Sequence, residues 1–281
     1  MTSLSGARKW AAARLREMGI ESPAAEAELM LLHATGLSRP ALAARGREPA
    51  GDRAFENLKE IVERRRAGEP LQYILGGWEF YGCTLKVRPG VLIPRQDTEV
   101  LVEIALPLIP EGGRFLDWGT GTGCLPLALL SERRDITAIA ADANPLAVAL
   151  AWHNLSSAGV LHRCLLWHSR EPGDIPVEDG ELSVLVSNPP YIPSQDLPGL
   201  MKEVRAEPVS ALDGGEDGLA WYRKLFEWGP AKVRPGGWVL FEIGDGRQGE
   251  RLAEISPENL EFRGVFQDLS GKPRAALWHR V

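Results

Sequence analysis

The sequence predicts an α/β protein in which a small helical bundle precedes a doubly wound, mainly parallel sheet. From residue 99 onward, short apolar runs of strand length alternate with helical patterns, as they do where helices cover buried parallel strands. The first 70 residues carry only helical periodicity, and residues 71–97 show strand-like alternation. We therefore expect a helical domain at 1–70, a β-hairpin linker at 71–97 and an α/β domain at 98–281.

The composition excludes several classes of protein. Of the 281 residues, 44% are hydrophobic and 25% are charged, and no run approaches the roughly 18 apolar residues of a membrane-spanning helix. The N-terminal stretch scatters charge where a signal peptide would have an apolar run. The three cysteines, Cys83, Cys124 and Cys164, are odd in number and form no close pair. Secreted and membrane classes are thereby excluded, and we expect a cytoplasmic location.

Charge is distributed unevenly along the chain. The first 70 residues carry 12 basic and 10 acidic residues, whereas the remainder carries 20 and 28. A catalytic region this acidic is poorly suited to holding a nucleic-acid backbone, so no direct contact with nucleic acid is expected. Glutamates flank the arginine run at 64–66, and we interpret that run as the solvated face of a helix.

The first region predicts three helices. Apolar residues recur at helical spacing over residues 4–18. A serine followed by proline at 22–23 is a typical helix start, and a third helix is expected over residues 55–66. In the linker, strand-like residues alternate around glycine and proline-glycine turns, which predicts a hairpin.

The second region predicts at least seven strands. Five of them are expected at residues 114–118, 136–141, 163–167, 182–187 and 237–243. The helices between them are expected at residues 123–133, 145–158 and 219–232. The apolar segments 261–267 and 274–280 have no long helix between them, so we expect them to pair antiparallel at an edge of the sheet.

A glycine-rich loop directly follows the first of these strands. Its candidate cofactor-binding residues are Asp117, Gly119, Thr120, Gly121, Thr122 and Gly123. Glycines there permit a tight turn and let a ligand approach main-chain N–H groups. A dinucleotide fingerprint would need Gly or Ala where Cys124 stands. The G-x-G-x-G spacing after an acid is instead typical of S-adenosylmethionine (SAM) binding, in which Asp117 helps to place the amino-acid end.

Asp142 ends the next strand, 23 residues after Gly119. An acid at this place can accept hydrogen bonds from both hydroxyls of a ribose. Taken alone, Asp142 would equally fit a turn or a helix cap, because Pro145 opens a helix nearby. The preceding glycine loop favours the ribose.

The tetrapeptide Asn188-Pro189-Pro190-Tyr191 follows the fourth strand and carries the candidate catalytic and substrate-binding residues. Carboxyl ends of parallel strands meet at one edge of a sheet, so the tetrapeptide faces the same crevice as the glycine loop. The prolines stiffen it and offer carbonyl acceptors without competing N–H donors. A planar NH₂ group can donate to the Asn188 side-chain oxygen and to the Pro189 carbonyl, with Tyr191 against its flat face.

Two histidines and a cysteine near the third strand are candidates for a metal site. His162, Cys164 and His168 would face one side of a strand. No fourth ligand is evident, and the flanking apolar residues favour burial. We therefore expect no metal.

The sequence resembles the HemK/PrmC family of protein-(glutamine-N5) methyltransferases that act on peptide chain release factors. The resemblance covers nearly the whole chain, and several of its motifs lie outside those common to methyltransferases in general. The matching segments are residues 68–82, 91–103, 117–124, 187–192, 203–219, 241–248 and 268–280.

The resemblance implies a helical substrate-recognition domain, a β-hairpin linker and a seven-stranded, Rossmann-like SAM-dependent methyltransferase domain. It implies SAM as the cofactor, S-adenosyl-L-homocysteine as the product and class I release factors as substrates, methylated in their Gly-Gly-Gln motif. It also implies that Asn188 touches both cofactor and substrate. The chain departs from the family after the third strand, where Arg170 stands near the place of an aromatic that covers the adenine. A guanidinium plane can stack there instead.

Alternatives remain open at this point. A glutamine methyltransferase of a ribosomal protein would share most of these motifs. A DNA or RNA adenine-N6 methyltransferase would use the same tetrapeptide on a similar planar NH₂ group, although the acidic catalytic region weighs against it. A non-catalytic SAM-binding or RNA-associated module is the alternative from another class, and the intact tetrapeptide weighs against that.

Overall fold

The computed structural model describes residues 2–281, which form two compact units. The first unit contains the residues up to Gly76 together with the short segment Lys202–Ala206. The second contains Gly77–Met201 and Glu207–Val281. The expected hairpin lies in the second unit, whereas the first five residues of the expected linker form a helix of the first. No helix in the described part of the chain is long and apolar enough to cross a membrane.

The first unit is helical. Within the described residues its helices are α1 (Leu4–Glu17), α2 (Pro23–Thr35), α3 (Arg39–Ala44), α4 (Asp52–Arg66) and α5 (Leu71–Leu75). The Ser3 hydroxyl caps α1 by accepting the N–H of Gly6 at 3.1 Å. Gly36 ends α2 in the left-handed conformation, with φ of 68°. The three expected helices are confirmed, whereas α3 and α5 are too short to show a readable period.

A buried guanidinium connects three segments of the first unit. The Arg65 side chain is only 6% exposed, and its nitrogens lie 2.9 Å from a Glu26 oxygen and 2.6 Å from a Glu203 oxygen. Buried arginines are stable only when paired, so Glu203 ties the segment Lys202–Ala206 to α2 and α4. The expectation of a solvated arginine run is therefore wrong for Arg65. It is correct for Arg64 and Arg66, which are exposed.

The second unit begins with the antiparallel hairpin β1 (Gly77–Phe80) and β2 (Cys83–Lys86), and continues into a mixed sheet. The sheet strands of the described residues are β3 (Arg114–Trp118), β4 (Thr137–Asp142), β5 (Cys164–His168), β6 (Leu182–Ser187), β7 (Val233–Glu242), β8 (Leu260–Gln267) and β9 (Pro273–Arg280). Their order is β5-β4-β3-β6-β7-β9-β8. Strands β3 to β7 are parallel, and β9 is antiparallel to β7 and β8, as expected.

Helices cover both faces of this sheet. They are α6 (Glu99–Leu108), α7 (Cys124–Glu132), α8 (Pro145–Ser157), α9 (Ala220–Lys232) and α10 (Gly246–Ile255). Side chains alternate along β3, so Phe115 packs in the core beneath α6, α7 and α8, and Leu116 packs in the core beneath α9 and α10. Helices α6 and α10 were not expected, and β7 begins four residues before the expected start at 237.

The order of the strands reverses beside β3. Chain order runs outward to β4 and β5 on one side of β3, and to β6 and β7 on the other. Ligands of open α/β sheets bind at such a point, outside the carboxyl ends of the strands. The ends of β3, β4 and β6 are therefore the place to look for a site.

Candidate active site

The glycine-rich loop leads from the end of β3 into α7. Gly119, Gly121 and Gly123 have φ of 75°, 56° and 78°, a conformation that other residues rarely adopt. The N–H groups of Gly119 and Thr120 donate to the Ala141 carbonyl at 2.8 and 3.0 Å. The loop is thereby held against the end of the neighbouring strand β4.

Asp117, one residue before the end of β3, is a buried acid with unusual surroundings. Neither of its carboxylate oxygens has a hydrogen-bond partner among residues 2–281. Burial raises the pKa of Asp117 to about 7, the Thr120 side chain opposes this rise, and the Asp142 carboxylate adds to it. A buried acid with unfilled acceptors is costly to the folded state. Its chemistry fits the ammonium group of an amino-acid ligand.

Asp142 connects two loops at the end of β4. Its Oδ2 accepts the N–H of Gly121 at 2.8 Å, and its Oδ1 accepts the N–H of Asn144 at 2.8 Å. Asn144, rather than Asp142, caps α8 by accepting the N–H of Leu146 at 3.0 Å. A carboxylate oxygen can accept more than one hydrogen bond, so Asp142 retains capacity for ribose hydroxyls.

A cleft of about 440 Å³ opens at the carboxyl ends of these strands, a volume typical of small-molecule sites. Its lining includes Gly119, Gly121, Asp142, Asn188, Pro190 and Trp221. A much smaller recess lies beside it, lined by residues that include Thr98, Asp117, Thr120, Thr122 and Asn188. Asn188 lines both spaces.

The Asn188–Tyr191 loop continues directly from β6. Just before it, the Ser187 hydroxyl donates to the main-chain carbonyl of Trp118 at 2.5 Å, which ties the end of β6 to the end of β3. Asn188 is half-buried, and its Nδ2 donates to the Thr98 hydroxyl at 3.2 Å. Pro189 is buried, whereas Pro190 and Tyr191 are half-buried. The loop therefore presents side chains to the cleft from a fixed strand end.

A second segment fixes the far end of this loop. The N–H of Ile192 donates to the Leu212 carbonyl at 3.0 Å, and the N–H of Gly214 donates to the Ile192 carbonyl at 2.8 Å. Gln248 Nε2 donates to the carbonyl of Tyr191 at 3.3 Å. A Cβ atom at Gly214 would lie 2.8 Å from main-chain atoms of Tyr191, so this close approach requires glycine.

Glu242, the last residue of β7, is a second buried acid beside the loop. Burial raises its pKa to about 7, while hydrogen bonds from Thr98 and Asn188 and the charge of Arg274 oppose the rise. Its Oε2 has no hydrogen-bond partner in the described residues. Neither Glu242 nor Thr98 stood out in the sequence, because each lies within an ordinary strand or turn pattern.

The structure brings most of the candidate residues to one place. The candidate residues that line the cleft or its recess are Asp117, Gly119, Thr120, Gly121, Thr122, Asp142, Asn188 and Pro190. Gly123, Pro189 and Tyr191 belong to the same two loops but are not part of either lining. Arg170 is exposed and is not part of the cleft lining. Trp221, which belongs to none of the sequence motifs, lines the cleft, and its ring centroid lies 4.9 Å from that of Trp118. The stacking of Arg170 on an adenine stays a prediction.

The three residues weighed as metal ligands do not share one strand face. His162 lies in a 3₁₀ turn, Leu161–Arg163, that precedes β5, so strand alternation does not apply to it. Cys164 is buried, and His168 Nε2 lies 3.1 Å from the carbonyl oxygen of Ala143.

Two family descriptions match this chain. Residues 6–76 match the family described as PrmC N-terminal domain, and residues 94–216 match the family described as methyltransferase small domain. Similar curated proteins carry one name, release factor glutamine methyltransferase. The enzyme of Moorella thermoacetica is 40% identical to this chain, and the enzyme of Geobacter sulfurreducens is 41% identical. Each alignment covers at least 92% of this chain and of the relative. That of Escherichia coli is 40% identical, over 83% of both chains.

Solved structures support the fold. A methyltransferase from Pyrococcus furiosus matches 70% of this chain and 89% of its own, with a TM-score of 0.50 at 16% identity. The hMettl16 catalytic domain matches 70% of this chain and 76% of its own, with a TM-score of 0.55 at 13% identity. These matches indicate a methyltransferase fold in the second unit.

Proposed function

The chain belongs to the release factor glutamine methyltransferase family, and from this membership we propose that it methylates the Gly-Gly-Gln glutamine of class I peptide chain release factors. The methyl group passes from SAM to the side-chain amide nitrogen, N5. The Asn188–Tyr191 loop carries this proposal, because it is stiff, lies at the cleft and offers acceptors to a planar NH₂ group.

SAM is the cofactor of this methyltransferase, and it supplies a methyl group on a positively charged sulfur. We propose that Asp117 receives its ammonium group, that Asp142 receives its ribose hydroxyls, and that residues 119–123 and Asn188 line its site. The unpartnered carboxylate of Asp117 supports this assignment, since an ammonium ion would satisfy acceptors that the protein leaves open.

The proposed role of the Asn188–Tyr191 loop is to align the substrate amide nitrogen, which is a weak nucleophile. An amide nitrogen attacks poorly because its lone pair is delocalised into the carbonyl. In our proposal the Asn188 Oδ1 atom and the Pro189 carbonyl accept the two N–H groups and hold the nitrogen in line with the methyl group. Both contacts strengthen as positive charge develops on the nitrogen, so they favour the transition state over the bound substrate.

Tyr191 and Pro190 complete the proposed substrate site. Tyr191 serves as a wall against the flat face of the amide. Two main-chain contacts of Ile192 and the Gln248 side chain hold the end of the loop, which supports a fixed position for this ring. No general base is required in this scheme, because the amide N–H becomes far more acidic as the new C–N bond forms.

The helical unit is the proposed recognition element for the release factor, and the cytoplasm is the proposed place of action. Cys83, Cys124 and Cys164 are free, which suits a reducing compartment. The acidic balance of residues 71–281 supports a protein substrate without direct nucleic-acid contact. The same charge weighs against the adenine-N6 alternative. A ribosomal protein as the glutamine substrate stays the nearer alternative.

Incubation with isotopically labelled SAM and a purified class I release factor tests the proposal. We expect label on the Gly-Gly-Gln peptide, located by mass spectrometry. A release factor with glutamate in place of that glutamine is the matched control and should stay unlabelled. Label on a ribosomal protein or an oligonucleotide, with none on the release factor, would replace the proposed substrate by that alternative.

A further inference from the structure

We propose that Thr98 and Glu242 are positioning residues that hold the Asn188 amide with its oxygen toward the substrate. The inference rests on the role proposed for Asn188 and extends it to two side chains outside the Asn188–Tyr191 loop. It assigns them no contact with the reacting atoms.

The contact between Asn188 and Thr98 shows which end of the Asn188 amide faces the interior. Asn188 Nδ2 donates to Thr98 Oγ1 at 3.2 Å. A hydroxyl that accepts one hydrogen bond still has its own proton to donate, and the Thr98 and Asn188 side chains lie near enough to Glu242 to lower the pKa of its carboxyl group. In the proposed arrangement the Glu242 carboxylate is the acceptor toward which these donors are directed.

The cluster is shielded from water. Thr98 and Glu242 are each 2% exposed, and Glu242 Oε2 lacks a hydrogen-bond partner among the described residues. A carboxylate in such a place destabilises the fold unless something compensates, and a buried acid retained beside a ligand cleft is typical of functional sites. The strands explain how Glu242 is held, since its main chain pairs with Ala275 of β9.

The orientation of Asn188 matters because its amide has two unlike ends. The Oδ1 end accepts a substrate N–H, whereas the Nδ2 end would place one NH₂ group against another. An ionised carboxylate only accepts hydrogen bonds, so it selects the orientation that directs Nδ2 inward. A glutamine or a protonated acid at residue 242 can donate as well, and both orientations then become possible.

Charged and titratable groups from several elements face Glu242. Arg274 of β9 favours its ionised form, and Asp97, which lies 2.8 Å from Arg274, disfavours it. Tyr191 lies near, and the Tyr222 hydroxyl of α9 donates to the Glu242 main-chain carbonyl at 2.6 Å. Burial, and after it the balance of these charges, sets the pH range in which the carboxylate is ionised.

Substitutions at Thr98 test the proposal with the shape nearly preserved. We expect Thr98→Val to lower kcat on a purified class I release factor at least tenfold, with KM and the Kd for SAM changed less than threefold. Thr98→Ser keeps the hydroxyl and should stay within threefold of the parent kcat. Thr137→Val makes the same chemical change at the far end of β4 and should leave kcat unchanged. Equal losses in Thr98→Ser and Thr98→Val would assign Thr98 to packing and overturn the proposal.

A pH profile tests Glu242. With SAM and substrate saturating, the parent kcat should fall as the pH drops through about 7, because the acid protonates and no longer selects one orientation. Glu242→Gln should have a low kcat without this acid limb. Glu181→Gln, at the opposite end of the sheet, should keep the parent profile. A Glu242→Gln enzyme with the parent kcat and profile would overturn the proposal.

The outcomes separate this inference from the proposed function. If the parent enzyme leaves the release factor unlabelled, the proposed function fails. If the parent labels it and folded Thr98→Val and Glu242→Gln enzymes are equally fast, only the positioning role fails. Thermal denaturation of each variant shows that it is folded, and Thr98→Val provides the test if Glu242→Gln does not fold.

Discussion

Asp142 holds the loops beside the cleft and is also a proposed contact of the cofactor. Its oxygens hold the N–H groups of Gly121 and Asn144, which shapes the cleft. The same oxygens are the proposed acceptors for ribose. Any substitution there therefore tests ligand contact and loop geometry together, and a control must separate them.

Asp142→Ala should weaken SAM binding at least tenfold, because hydrogen bonds to a charged acceptor are worth roughly 1.5–3 kcal/mol each. Calorimetric titration measures the dissociation constant. Asp135→Ala is the control, since the Asp135 carboxylate also accepts a main-chain N–H, that of Gly112, but lies outside the cleft. An unchanged dissociation constant in Asp142→Ala would remove this residue from the cofactor site.

Asp117 predicts a pH dependence of cofactor binding. Its pKa is raised to about 7, and a bound ammonium group favours the ionised carboxylate. SAM affinity should therefore fall as the pH decreases below about 7, approaching tenfold per unit from this group. Asp117→Asn should bind SAM weakly, with much of this dependence lost. Titrations between pH 5.5 and 7.5 measure both, and a parent affinity that is flat over this range would contradict the assigned ammonium contact.

Asn188→Ala should lower the methyl-transfer rate by about 10²–10³ while changing the Kd for SAM far less. In the proposed mechanism the lost acceptor acts mainly in the transition state, where charge develops on the nitrogen. Single-turnover kinetics at saturating SAM and release factor measure the rate. Asn188→Asp keeps the shape but changes the hydrogen-bonding groups, and it should also be slow. A rate for Asn188→Ala within threefold of the parent would leave the loop with a structural role alone.

At the scale of elements, the Asn188–Tyr191 loop depends on close approach by glycines. Gly218 has φ of 77°, and a Cβ atom there would lie 2.5 Å from the Tyr191 carbonyl oxygen. The loop therefore cannot keep its position if residue 218 carries a side chain.

Gly218→Ala should lower kcat at least tenfold by displacing Tyr191, with the Kd for SAM changed less than threefold. The matched control is Gly236→Ala. Gly236 has φ of 76°, but a Cβ atom there would have no neighbouring atom within 4 Å. The Gly236→Ala variant therefore tests the backbone strain alone, which costs roughly 1–2 kcal/mol. Equal kcat values for the two variants, measured with release factor as substrate, would contradict a role for this close approach.

The strands of the sheet were predictable because each is a short apolar run bounded by turns. Residues 114–118 and 182–187 match β3 and β6 to the residue. Motif spacing likewise located the glycine loop and the Asn188–Tyr191 loop. The cluster around Asn188 could not be predicted, because Thr98 and Glu242 lie far from it along the chain. Asn188 and Glu242 come together because β6 pairs with β7. Thr98 joins them because the turn before α6 packs against these strand ends.

At the scale of the whole molecule, the division into two units gives a test of the recognition role. Every candidate cofactor residue lies in the second unit, and the compact helical unit extends to Gly76, six residues past the boundary proposed from the sequence.

A protein comprising residues 77–281 should keep SAM affinity within tenfold of the parent and lose methylation of the intact release factor. A short Gly-Gly-Gln peptide at high concentration serves as the control, since it needs no distant recognition surface and should be methylated by both proteins at similar low rates. A folded fragment that methylates the whole release factor at the parent rate would contradict the recognition role of the helices.

The position of Glu203 along the chain also has a consequence for biosynthesis. Helices α2 and α4 are translated well before residue 203, so Arg65 of α4 lacks one of its two carboxylates until that residue has been made. Nascent domains generally fold as units from the N-terminus. Here the first unit acquires its ion pair with Glu203 only after strands β1 to β6 of the second unit have been translated. Its complete stability is therefore reached later in translation than its helices, which precede the second unit along the chain.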